Sequence, residues 1–139
     1  GCQARAEARR LVQWFDGKFE AEVTRNLLGE KLYKRLTGVG TPDSRCIRAG
    51  YANLPVHLAY IGWLVDRRNW LAGDHISLAD LAAAAHLSCL DYIGEVPWDD
   101  HPEARDWYAR IKSRPAFRPL LEDHLPGRPP ASHYAELDF

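Results

Sequence analysis

An all-α bundle is the fold class this sequence predicts, and three observations predict it. Apolar residues recur at three- and four-residue spacing through most of the chain. Two cap-like pairs, Ser77 with Asp80 and Asp100 with Glu103, stand at the head of apolar runs. No segment reads as a β-strand. Five or more helices are expected, followed by an extended C-terminal tail.

The first helix is expected over about Gln3 to Leu36, where Trp14, Phe15, Phe19, Val23, Leu27 and Leu28 recur with charges between them. Gly17 and Gly29 weaken it locally without ending it. Thr37 to Asp43 carries two glycines and a proline and reads as a loop. A second helix follows from about Ser44 to Arg68, with Ile47, Tyr51, Leu54, Leu58, Ile61 and Val65 as its inner seam. Pro55 lies inside it, and its missing N–H predicts a kink or break there.

The third helix is the best-signalled element. Ser77 and Asp80 have the spacing of a capping box, with Asp in the place more often held by Glu. The body from Leu81 to Leu90 is apolar on nearly every side, which predicts a central position among neighbouring helices. A loop from Gly94 to Asp99 leads to a fourth helix, capped by Asp100 and Glu103 and showing Trp107, Tyr108 and Ile111 inward. Pro115 ends that helix region and can start a further short one through Phe117, Leu120 and Leu121. From Pro126 the composition shifts to Gly127, Pro129 and Pro130, which oppose helix. The expected organisation is a helical domain over 1–125 and a Pro-rich extended tail over 126–139.

Bulk properties exclude several function classes. The chain has 139 residues, 46% of them hydrophobic, enough for one domain with a real core. Basic and acidic residues number 18 and 19, for a net charge of −1. That balance creates no field for nucleic acid. No apolar run reaches bilayer-spanning length, so no membrane insertion is expected. Three cysteines without close spacing, Cys2, Cys46 and Cys89, read as free thiols in a reducing cytoplasm. The chain opens on Gly1, contains no methionine and is helical almost at once. It is read as a fragment whose N-terminal part lies outside this sequence.

No catalytic centre stands out. His86 and Cys89 share a helix face, but a metal site needs three or four ligands and no second pair is near, so no metal is expected. Gly38-Val39-Gly40 lacks the lysine and hydroxyl residue of a phosphate loop. Asp80 is read as the box partner of Ser77 rather than as a base.

Two segments, with the order of the helices, carry a family resemblance. Trp70 to Leu81, containing Gly73-Asp74-His75-Ile76-Ser77-Leu78-Ala79-Asp80, resembles the loop and capping box that open the core helix of the glutathione transferase C-terminal domain. Trp107 to Phe117, with Arg114-Pro115-Ala116-Phe117, is similar to that superfamily's late helix and turn. A narrower resemblance rests on Ala4 to Asp16, on Gly29 to Leu32 with Lys34-Arg35-Leu36, and on the ending Pro130 to Phe139. These look like an alphaproteobacterial family of transferase-like division proteins that partner the tubulin-like filament protein FtsZ.

The resemblance implies a domain that carries no activating Tyr, Ser or Cys of its own. In the superfamily, that residue and most of the glutathione site belong to an N-terminal thioredoxin-like domain absent from this chain. No cofactor is expected in the chain itself, and glutathione is left as an open alternative for a full-length protein. Substrate-pocket candidates are Gln13, Trp14 and Lys18 on the first helix. A homodimer is implied, with FtsZ and divisome proteins as partners, and a non-catalytic division scaffold is the expected function. The competing expectation is the substrate-binding domain of a glutathione-dependent transferase acting on a hydrophobic electrophile. Tyr134, Leu137, Asp138 and Phe139 are candidate partner-binding residues of the tail. They read either as a docking motif or as anchors that fold back onto the domain.

The capping box gives the first test. Ser77→Ala should cost about 0.5–2 kcal/mol in urea denaturation, because an orphan helix amide loses its cap; an unchanged midpoint would remove the box from the argument.

Overall fold

The computed structural model describes all 139 residues. Helix α1 runs without interruption from Cys2 to Thr37, as Cys2–Gln13, a wide-turned stretch Trp14–Tyr33 and Lys34–Thr37. Helix α2 is Ser44–Arg68, α3 is Leu78–Tyr92 and α4 is Pro102–Lys112. Short 3-10 segments occur at Trp98–Asp100 and Arg118–Glu122, and there is no strand. The bundle therefore has four helices, not the five or more expected. The segment after Pro115 tightens into a 3-10 turn because Pro119 lacks the N–H that would bond the Pro115 carbonyl in an α-helix.

The core-facing residues of α1 explain its unusual winding. Leu11, Phe15, Phe19, Val23 and Leu27 are all fully buried and fall every four residues. In an ordinary α-helix four residues overshoot a full turn by about 40°, so this row would wander around the cylinder. Between Trp14 and Tyr33 the helix is instead wound with hydrogen bonds five residues long (a π-type turn), and it closes with Lys34 N–H donating to the Gly29 carbonyl. The wider turn opposes the overshoot that an α-helix would give this row. The helix makes its last bond from Gly38 N–H to the Lys34 carbonyl at 2.9 Å, and the Gly38 φ of +69° turns the chain away after it.

Helix α2 starts at Asp43, whose carboxylate accepts the Arg45 N–H at 2.9 Å. It packs against α1 and the helix Pro102–Lys112, burying Gly50, Leu54, His57, Leu58, Ile61 and Leu64. This corrects the expected seam: Tyr51 is 41% exposed, and Ile47 and Val65 only border the core. The helix also runs past Pro55, so of the kink or break expected there the break is ruled out. Burial of Leu54, His57 and Leu58 around the proline outweighs its cost of about 3 kcal/mol.

Helix α3 lies against α1 and α4. Ala79, Ala83, Ala84, Leu87 and Leu90 are fully buried, while Leu78, Leu81, Ala85 and Cys89 leave one stripe open. Both halves of its capping box are present. The Ser77 hydroxyl accepts the Ala79 N–H at 3.2 Å, and Asp80 accepts the Ser77 N–H at 2.9 Å. At α4 the expected Asp100 cap is not made. Asp100 ends the 3-10 turn instead, His101 is the N-cap without a side-chain bond, and Pro102 occupies the first turn.

Glycine positions give a paired test. A Cβ on Gly50 would stand 2.6 Å from Leu27 Cγ, whereas one on Gly29 would meet nothing within 4 Å. Gly50→Ala should destabilise by about 1–3 kcal/mol through overpacking, and Gly29→Ala should stabilise by about 0.4–1 kcal/mol. Urea midpoints of the two variants are expected to move in opposite directions.

Candidate functional site

Two regions concentrate chemistry outside ordinary packing: a cleft between α1 and α2, and the ground under the C-terminal tail. The cleft has a volume of about 320 Å³ and is walled by Trp14, Lys18, Glu22, Val56, His57 and Tyr60. It therefore brings together Trp14 and Lys18 of the three expected pocket residues. Gln13 points elsewhere and lays its amide over Gly17, 2.9 Å from where a Cβ would be.

His57 organises the cleft. It is 2% exposed and held at both ring nitrogens. Trp14 Nε1–H donates to Nδ1 at 3.2 Å, and Nε2 lies 3.0 Å from Glu22 Oε1. An indole nitrogen can only donate, so Nδ1 must be bare and Nε2 must carry the proton that Glu22 accepts. Burial pushes the His57 pKa down, partly opposed by the Glu22 carboxylate. Lys18 pairs with Glu22 at 2.8 Å and, with His57, holds that carboxyl below its usual range. Trp14 and Tyr60 pack with ring centroids 5.1 Å apart. Nothing in sequence spacing marked His57 or Glu22. The only available signal was that His57 falls among Leu54, Leu58 and Ile61 on the buried side of α2.

The cleft wall carries no uncommitted cation. Its one cation, Lys18, is already paired, and both His57 nitrogens are engaged.

A second histidine ties α1 to α3. His86 Nδ1 lies 3.1 Å from Thr24 Oγ1 and Nε2 lies 3.0 Å from Asp16 Oδ1. Cys89, three residues on, faces outward. No group of three or more His, Cys, Asp or Glu side chains converges in a metal-binding arrangement.

The tail is not free in solvent. Leu125 and Arg128 pair across a turn at Gly127, whose φ is +73°. Tyr92 clamps this turn: its hydroxyl accepts the Leu125 N–H at 2.8 Å and donates to the Arg128 carbonyl at 2.6 Å. Beyond it the chain lies back on α3 and α4. Tyr134 is 5% exposed, packs edge-on against Tyr92 at 5.1 Å, and burial pushes its phenol up to about 12. Leu137 packs at the core margin and Asp138 is exposed. Phe139 packs edge-on against Trp98 at 5.4 Å, with Lys112 Nζ 4.0 Å from its ring centre. His133 Nε2 reaches Asp91 Oδ1 at 2.8 Å.

Asp91, Tyr108 and Lys112 under the tail are all fully buried. Asp91 Oδ2 and the Tyr108 hydroxyl have no hydrogen-bond partner. Burial pushes the Tyr108 pKa up and the Lys112 pKa down, the latter against the pull of Asp91 and Glu136. Each unmet polar group costs about 1–3 kcal/mol.

With the bundle and both regions in place, the likeness to known proteins can be stated: residues 51–115 match the family "Glutathione S-transferase, C-terminal domain". FtsZ-localized protein A of Caulobacter vibrioides is 57% identical over 135 residues, covering 97% of this chain and 59% of that protein. The structure of FzlA from C. crescentus superposes with a TM-score of 0.96 at 55% identity, covering all of this chain and 62% of that one. A glutathione S-transferase from Rhodospirillum rubrum F11 matches with a TM-score of 0.96 at 59% identity, covering all of this chain and 63% of its own. The chain thus spans about three-fifths of the length of these relatives.

The His57 arrangement predicts a pH dependence. Its folded pKa lies below the unfolded value of about 6.5. The unfolded chain therefore binds the proton first, and stability is lost as pH falls below about 6.5. Melting temperature should drop between pH 7.5 and 5.5. In His57→Gln, whose amide can accept from Trp14 and donate to Glu22, that drop should shrink. An identical pH slope in the variant would place the titrating group elsewhere.

Proposed function

We propose that this domain is the partner-binding half of a non-catalytic division scaffold that associates with FtsZ. The observation that carries the reading is the 57% identity to FtsZ-localized protein A, sustained over 97% of this chain. Identity at that level extends well beyond the core positions that any transferase-like bundle would need. The scaffold would act in the cytoplasm, and no helix here is long and apolar enough to cross a membrane.

A homodimer belongs to the same proposal. The outer face of α2 exposes Val56 at 69% and Trp63 at 49%, with Arg67 stacked 4.1 Å over the Trp63 ring. Apolar side chains lined along one helix suit a self-complementary contact.

The second reading is the co-substrate domain of a glutathione-dependent transferase. It is favoured by the solved relative from Rhodospirillum rubrum, which is described as a glutathione S-transferase. The Trp14–Tyr60 wall of the cleft could take an apolar electrophile, while glutathione would have to be held by a domain outside this chain.

One preparation separates the two. The full-length protein should pellet with GTP-assembled FtsZ filaments and stay in solution without them, while showing no conjugation of glutathione to a standard aryl halide. Sedimentation velocity of the same preparation gives its oligomeric state. Robust conjugation with no co-pelleting would replace the scaffold reading with the enzymatic one.

A further inference from the structure

The tail rests on ground that it leaves unsatisfied. It gives Asp91 a single partner, His133, while the second carboxylate oxygen has none. Trp98 Nε1–H also donates to the satisfied oxygen, at 2.8 Å. Lys112 receives one carbonyl, that of His133 at 3.3 Å, and the faces of Phe139 and Tyr108. The Tyr108 hydroxyl receives nothing. A carboxylate oxygen, a phenol and an ammonium would all gain water if the tail lifted, so docking carries a built-in opposing term.

The attachment is organised to lift as one piece. The turn at Gly127 is fastened from both sides by the Tyr92 hydroxyl, which holds the chain up to Arg128. Pro129 and Pro130 follow, without backbone donors and with restricted φ. Past them, the tail's one backbone bond to the helices is Ala131 N–H to the Tyr92 carbonyl at 2.9 Å. Tyr134 N–H to Ala131 and Glu136 N–H to His133 are internal to the tail. The rest of what holds it down is side-chain packing, the His133–Asp91 contact, and two side-chain bonds: Lys112 Nζ to the His133 carbonyl and the Tyr134 hydroxyl to the Leu120 carbonyl, both at 3.3 Å.

We infer that residues 131–139 form a releasable strap, hinged at Pro129–Pro130, that closes over Asp91, Tyr108 and Lys112 and opens as a unit while the four helices stay folded. The inference deepens the scaffold reading and rests on it for its purpose: only an open strap offers Tyr134, Leu137 and Phe139, with Glu136 and Asp138 between them, to an apolar groove with a basic rim on a protein partner.

Native-state hydrogen exchange on the full-length protein tests it. The amides of Ala131, Tyr134 and Glu136 should exchange at a common rate, at least about 100-fold faster than that of Leu87 in α3, and with little denaturant dependence. Tyr108→Phe removes the orphan hydroxyl and should slow strap exchange; His133→Ala removes the contact with Asp91 and should speed it. Neither should move Leu87. Exchange of the strap only together with Leu87 would overturn the inference. So would rates graded from Phe139 inward, which mean simple fraying. Opening is read without FtsZ, so a failed co-pelleting experiment rejects the scaffold reading and leaves the strap standing, and the reverse result rejects only the strap.

Discussion

The buried carboxylate of Asp80 is the interaction on which the rest of the bundle depends. It is fully buried and takes three N–H donors: Ser77 N–H at 2.9 Å, Leu71 N–H at 3.0 Å and Trp107 Nε1–H at 2.9 Å. Those donors come from the α3 cap, from the loop that returns from α2, and from the middle of α4. A charge removed from water is costly unless such partners meet it, and the positive end of the α3 dipole adds to them. One side chain thus fixes where α3 starts, how the 69–77 loop turns and how α4 lies. Trp107 is held by that bond, and its neighbour Tyr108 becomes the ceiling of the polar ground beneath the tail.

Helix α1 answers a different constraint, that of fitting a long row of large side chains against two neighbours at once. A four-residue repeat and an ordinary helical turn disagree, and the backbone yields by widening. Backbone hydrogen bonds remain made, so the adjustment costs geometry rather than unsatisfied groups. The benefit is that Phe15 and Phe19 stay in the core, while Trp14 and Lys18 remain on the cleft side next to His57.

Much of this was legible in the sequence because it is local. The Ser77–Asp80 spacing, the Thr37–Asp43 loop and the three helices bounded by clear breakers are written in short-range signals. What was missed depends on tertiary contact. Pro55 does not break α2, and the burial around it that holds the helix together cannot be seen from spacing. Tyr51 was assigned to the seam, but it turns outward to hydrogen-bond Glu95 at 2.7 Å, in a cluster with Lys31. Asp100 has a cap's chemistry, but the 3-10 turn before it moves the cap to His101. His57 was invisible as a site because a histidine on an apolar face has no spacing signature; only the positions of Trp14 and Glu22 give it one. For the tail, composition left docking on a partner and docking on the domain equally open, since both use the same aromatic anchors.

The domain contains two buried aspartates on one helix, and their contrast separates scaffold from moving part. Asp80, at the first turn of α3, meets three donors and leaves nothing unpaired around it. Asp91, near the last turn of the same helix, stands where the helix dipole is unfavourable to a negative charge. It shares one oxygen between Trp98 and His133 and leaves the other bare. The first arrangement gains nothing from water, so it locks α3 to its neighbours. The second gains a good deal from water, so the segment that covers it is the part of the fold least committed to staying closed. Placing full satisfaction at one end of a helix and partial satisfaction at the other lets a single rigid bundle carry a mobile edge.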